Sequence, residues 1–323
     1  MSIKRRAARW YAASCAAFAA LPSVACAHVL TDAERAAPSF GWRIEPWVGA
    51  LMAASLAGYA VGWARLWQRG HARSRAARMG QLVAFVLGWL SLVIALLSPL
   101  DTLSDALFSA HMVQHESMML VAAPLFVLGR PLGVWIWALP RRARRAVGRC
   151  VRSRGVACSW RWLTAPLTAW MLHAAALWAW HAPVLFEAAL RDPAVHTLQH
   201  ACFLSTALLF WWTVFGESGR RQSSGHAMLS LFTTMVHTSA LGALISLSPG
   251  LWYPSYVEPS SALGVDPLHD QQLGGLIMWV PGALAYLIGA LAVAARWLKE
   301  GAVPFAAQPQ QSCTVETSGE SAQ

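Results

Sequence analysis

The sequence predicts an all-α fold: a polytopic membrane protein built as a seven-transmembrane-helix bundle, with its N-terminus outside and its C-terminus cytoplasmic. Three observations carry this reading. The chain of 323 residues is 56% hydrophobic and only 12% charged, about half the charged fraction of an ordinary soluble domain. Its apolar residues gather into seven segments, each long enough to cross a hydrocarbon core of ~30 Å. The loops between those segments alternate sharply in basic content. Eighteen tryptophans accompany them, as expected of a residue that collects at membrane–water boundaries. The net charge of +10 by itself is a feature of nucleic-acid-binding chains. The arginines lie in loops between apolar spans rather than on one soluble face, which argues against that class.

Taken in order, residues 1–27 read as a signal peptide. Lys4, Arg5, Arg6 and Arg9 make a basic start, an apolar stretch covers 10–21, and Ala25-Cys26-Ala27 forms a small-residue cleavage site. Uncleaved, the same segment would be an extra first helix. Cleavage would leave His28 at the mature N-terminus, where amine and imidazole together can bind copper. Residues 28–299 form the membrane domain, with spans expected at 46–67, 79–98, 107–128, 162–180, 196–215, 226–247 and 271–297. Gly58 and Gly62 make a GxxxG in the first span, a signal of close helix packing. Residues 300–323, rich in Gln, Ser, Pro and Glu, read as a disordered cytoplasmic tail.

Orientation follows from the loops. Arg69, Arg73, Arg75 and Arg78 separate spans one and two, nine arginines from Arg130 to Arg161 separate three and four, and Arg220 and Arg221 separate five and six. The opposite loops carry Asp101 and Asp105, then Glu187, Arg191 and Asp192, then Glu258, Asp266 and Asp270. The positive-inside rule places the basic set in the cytoplasm, and the signal segment independently requires an outside N-terminus. The localisation expected is therefore a bacterial inner membrane, crossed several times. The Arg141–Arg161 loop reads as a topology determinant touching anionic membrane lipid. Six cysteines make no disulfide framework, because their positions scatter over the signal, a cytoplasmic loop, one span and the tail.

The candidate site comes from the histidines. His111 and His115 open the third span four residues apart, hence on one helix face, and His196 and His200 repeat that spacing at the start of the fifth. His181 ends the fourth span, and His269 precedes the seventh. His173 and His237 lie deeper. Any one of these could be an ordinary interhelical hydrogen-bonding residue. Their convergence at one membrane level points instead to metal ligands. The expected set is His111, His115, His181, His196, His200 and His237. Met118, His173, His269, Asp270 and Gln271 are possible further ligands or supports. Imidazole suits several metals, and the thioethers of Met112, Met118 and Met119 tilt the choice toward copper. Haem clamped between two helices is the alternative, although two imidazoles on one helix face cannot take opposite axial positions. Asp270 could orient an imidazole or cap the start of span seven.

These residues are also where a family resemblance lies. Ser98-Pro99-Leu100-Asp101 followed by His111-Met112-Val113-Gln114-His115 and Ala123-Pro124 resembles the CtaG family of cytochrome c oxidase assembly factors. Trp180-His181-Ala182-Pro183, His196-Thr197-Leu198-Gln199-His200, His237 and Asp270-Gln271-Gln272-Leu273-Gly274-Gly275 are similar to its later segments. The resemblance implies a seven-helix protein that helps mature a haem–copper oxidase by supplying copper to its copper–haem centre. Oxidase subunits would be its partners, with a periplasmic copper chaperone as a further one. The arginine-rich loop with Cys150 and Cys158 has no match. Two other functions compete: a haem-binding cytochrome or quinone-linked redox protein, and a copper permease. Below His173 and His237 the spans are almost wholly apolar, which counts against a permease path. A hydrolase is not expected, since neither Gly-x-Ser-x-Gly nor HExxH occurs and Met112 stands where the latter needs Glu.

Overall fold

A computed structural model describes residues 40–69, 72–216 and 224–301. The expected signal peptide, His28, His71, Arg220, Arg221 and the tail beyond residue 301 lie outside the described residues. Within them the fold is all-α, with no strand. In chain order the helices are α1 Pro46–Trp67, α2 Ala72–Leu97, α3 Pro99–Ser104, α4 Phe108–Gly129, α5 Pro131–Ala138, α6 Arg141–Val151, α7 Arg154–Leu163, α8 Pro166–His181, α9 Pro183–Arg191, α10 Pro193–Phe215, α11 Ser224–Ser246, α12 Val257–Ala262 and α13 Pro267–Gly301.

Six of these contain stretches long and apolar enough to cross a membrane: α1, α2, α4, α10, α11 and α13. Their outward faces carry exposed Leu90, Ile94, Phe232, Leu284 and Ile288, a pattern that lipid tolerates and water does not. The expected fourth span is α8, only 16 residues long. Prolines set its length: Pro166 sits in its first turn, and the chain turns to extended geometry at Ala182 before Pro183 starts α9. Helix α8 nevertheless packs between α10 and α11 and returns the chain to the end of the bundle where α10 begins.

Proline recurs at helix starts (Pro46, Pro131, Pro193), where a missing N–H costs nothing. Gly62 of the GxxxG lets α1 lie directly on α5, since a Cβ there would collide with the Val134 carbonyl. Arg65 donates to the carbonyls of Trp137 and Ala138 at 3.0 and 2.7 Å, closing the end of α5. The most extensive helix pairing joins α11 to α13. There a Cβ on Gly242 would stand 2.8 Å from the Gly275 carbonyl, so both helices need glycine. Helices α6 and α7 bury no residue, and of their arginines Arg144 lies over the Trp137 ring at 4.2 Å while the others are exposed.

Helix α4 is not regular. Residues Ser117–Ala122 form a π-turn, in which the Ala123 N–H reaches back to the Met118 carbonyl. By the same register residue 124 should serve the Met119 carbonyl, but it is proline and has no N–H. Trp211 of α10 supplies the missing donor, its Nε1–H standing 2.9 Å from that carbonyl. The irregularity begins directly after His115 and Glu116, and π-turns are frequent beside functional groups.

Candidate metal centre

Helices α4 and α10 run parallel, side by side, and each offers a histidine pair. His111 faces His196 with ring centroids 5.5 Å apart, and His115 faces His200 at 5.1 Å. Within each helix the rings are 4.2 and 4.3 Å apart. Helix α8 contributes His181 at its last residue, 6.4 Å from His115. One nitrogen from each of His111, His115 and His200 can be chosen so that all lie within 4.8 Å of one another. Three imidazoles holding one ion at ~2.0–2.1 Å would bring those nitrogens to about 3.3–3.5 Å, a small rotation of each ring.

The polar accounting of this pocket is unusual. Both nitrogens of His111 and His115, and Nε2 of His181, His196 and His200, are sealed from solvent without a hydrogen bond. The Ser104 carbonyl and the Gln199 side chain approach His111 without reaching bonding geometry. Buried polar atoms are nearly always paired, and five imidazoles that each carry an orphaned nitrogen in one place invite a ligand. His181 has a defined tautomer: its Nδ1 lies 2.7 Å from the Leu177 carbonyl. A carbonyl only accepts, so Nδ1 holds the proton and the Nε2 lone pair points into the pocket.

Other expected residues fall elsewhere. His237 and His173 occupy a lower level, with His237 against Trp170 and His173 near Thr206 and Tyr286. His269 is exposed and lies beside Asp266. Asp270 meets no imidazole; it accepts from the backbone N–H of Phe108 at 2.6 Å and of Ser109 at 3.3 Å, and from the Ser109 hydroxyl. It thus caps α4, the helix that presents the first histidine pair, rather than its own. Gln271 accepts from the Trp252 N–H at 2.6 Å and donates to the Gly250 carbonyl, pinning the loop before α12. That loop roofs the pocket: Tyr253 donates to the His181 carbonyl and Tyr256 to the Ser104 carbonyl. Glu187 fastens it further by accepting from Ser255.

Four residues outside the expected set also belong to this region. Gln199, fully buried between His196 and His200, has neither amide atom paired. Gln114 donates to the Ala95 carbonyl and to Asp101, both at 2.8 Å. Burial raises the Asp101 carboxyl from 3.8 to about 6, with Gln114 and Arg43 pulling it back in part. Glu116 turns the other way, toward α13, where Gly282 leaves room for its unpaired Oε2.

A family model described as the cytochrome c oxidase caa3 assembly factor, Caa3_CtaG, matches residues 57–300. The chain belongs to this assembly-factor family. All five pocket histidines lie within the matched assembly-factor region. Uncharacterized proteins of Mycobacterium bovis and Mycobacterium tuberculosis are each 27% identical to it over 269 residues, and one of Mycobacterium leprae is 26% identical over 272. These alignments cover 80% of this assembly-factor chain but only 40% of the relatives. No solved structure matches it.

Proposed function

We propose that this chain is an integral inner-membrane assembly factor for cytochrome c oxidase that binds copper in the five-histidine pocket and passes it to the oxidase copper centre. One observation carries the reading: imidazoles from α4, α8 and α10 meet at one level, each with at least one nitrogen sealed and unpaired. Copper is the cargo that the donor set fits best. Neutral imidazoles bind it without a closed thiolate cage, and the buried thioether of Met118 stands nearby. Such ligands exchange, and a delivery site must release what it holds. The role is transfer rather than catalysis.

The bundle crosses the membrane seven times, α8 included. Helices α4 and α10 run in the same direction, so the chain must return across the bilayer between them, and α8 is the segment that does so. The basic stretches α6 and α7 then lie in the cytoplasm on anionic lipid, and the histidine pocket lies near the periplasmic face. Oxidase subunits receive the ion, and a periplasmic copper chaperone supplies it.

Metal analysis of the full-length protein purified without a His-tag tests this. The wild type retains copper near one equivalent, and the His111→Ala/His115→Ala pair loses it at unchanged membrane level, whereas His269→Ala keeps it. Normal copper in the double variant would defeat the assignment. A reducible Soret band in the wild type would favour a haem protein instead.

A further inference from the structure

A cavity of about 350 Å³ lies between the upper half of α1 and α10 and reaches the metal pocket from the side. Helix α1 is fixed mainly at its other end, where Gly62 meets Val134 and the Tyr59 hydroxyl donates to the Gly129 carbonyl at 3.0 Å. Its Pro46 end therefore stands off from the bundle enough to leave this space. His196 and His200 form the inner wall. Asp101 and Asp105 lie at the polar end with Arg43, whose guanidinium stands 2.8 Å from Asp105. Glu45 also lies on the lining; otherwise it is apolar except for Thr197, whose hydroxyl donates to the Pro193 carbonyl, and two buried thioethers, Met52 of α1 and Met118 of α4.

The set of groups lining the cavity is what a soft monovalent cation needs. Carboxylates at a low-dielectric mouth draw cations from the aqueous side. Beyond the carboxylates the one other oxygen donor on the lining, the Thr197 hydroxyl, is committed to the Pro193 carbonyl, which leaves thioether sulfur and imidazole, the donors that select Cu(I) over Ca²⁺, Mg²⁺ or Mn²⁺. A filled core would use Leu at both methionine positions with better-defined packing. Here the sulfurs border open space beside the orphaned imidazoles. The Arg43–Asp105 pair bridges the segment before α1 and the turn after α3, so parting it widens the mouth.

We propose that this cavity is the loading port of the histidine pocket, through which Cu(I) passes over Met52 and Met118 to His200, with the Arg43–Asp105 ion pair as its latch. The proposal rests on the copper-binding function above and assigns its access route and the oxidation state it accepts.

Stopped-flow transfer of Cu(I) from its bicinchoninate complex to the full-length protein in detergent tests it. Ala201 lines the cavity and is no proposed ligand. Ala201→Trp should load roughly tenfold more slowly than wild type, the effect of about 1.4 kcal/mol on a barrier, yet reach the same final stoichiometry. Met52→Leu/Met118→Leu keeps every histidine and nearly all core volume. It should slow Cu(I) by a similar factor while leaving Zn(II) uptake unchanged. Arg43→Ala should load faster than wild type. Wild-type Cu(I) rates in either the Met pair or a fully loaded Ala201→Trp protein would overturn the port. A wild-type protein that takes up no Cu(I) at equilibrium would instead overturn the copper function itself.

Discussion

Asp270 directs both carboxylate oxygens to the start of α4, across more than 160 residues of sequence. Replacing it with Ala leaves two buried N–H groups of the histidine helix unpaired, a loss of about 1–2 kcal/mol for a cap of this kind. Asp270→Ala should therefore melt several degrees lower than wild type while still holding copper, read by thermal unfolding and metal analysis of one preparation. Asp101 titrates in an accessible range. Its folded carboxyl is raised to about 6 against 3.8 unfolded, so the folded state binds the proton more tightly. The stabilisation is full below about pH 4 and is lost as pH rises through 6, roughly 3 kcal/mol at most. Arg43, Glu45, Asp105 and Gln114 surround it. In Asp101→Asn this fall should vanish, seen as a smaller loss of melting temperature between pH 4 and 7 than in wild type. The histidine pairs were legible from spacing alone, because an i, i+4 repeat fixes a helix face. Asp270's partner was not: its place before the seventh span points to that span's own start, whereas its carboxylate caps α4 through a tertiary contact that sequence spacing does not carry.

At the scale of the element, the π-turn of α4 aims the region below His115. Trp211 and Pro124 compensate each other there: one removes a donor, the other replaces it. Trp211→Phe should cost about 1–3 kcal/mol through the orphaned Met119 carbonyl. In a Pro124→Ala background residue 124 has its own N–H, and the cost of Trp211→Phe should shrink, a coupling that a double-mutant cycle in denaturant reads directly. The sequence carried Ala123-Pro124 as a motif, but a π-turn has no compositional signal and needs tertiary contact to declare itself. Six spans were visible as apolar runs of full length. The shortness of α8 also has a sequence cause in Pro166 and Pro183, which clip the apolar run from 162 to 180 at its start and close it just after its end.

For the whole molecule, the proposed topology puts the basic helices α6 and α7 in the cytoplasm. Cys150 and Cys158 are exposed on α6 and α7, so an impermeant maleimide should label them only in inverted vesicles. A cysteine introduced as Glu258→Cys, at the opposite end of the bundle, should label in right-side-out ones. Labelling on the reverse sides would invert the protein and place the pocket in the cytoplasm. Composition and periodicity sufficed for the architecture because a membrane constrains length, polarity and charge so tightly. The cavity beside α1 escaped them, since it depends on where α1 is anchored rather than on any residue pattern. X-ray absorption of the Cu(I)-loaded protein bears most directly on the pocket. Imidazole nitrogen scattering at about 2.0 Å, diminished in His200→Ala, is the expected spectrum. A purely sulfur shell, or one that His200→Ala leaves unchanged, would mean that the copper is held elsewhere.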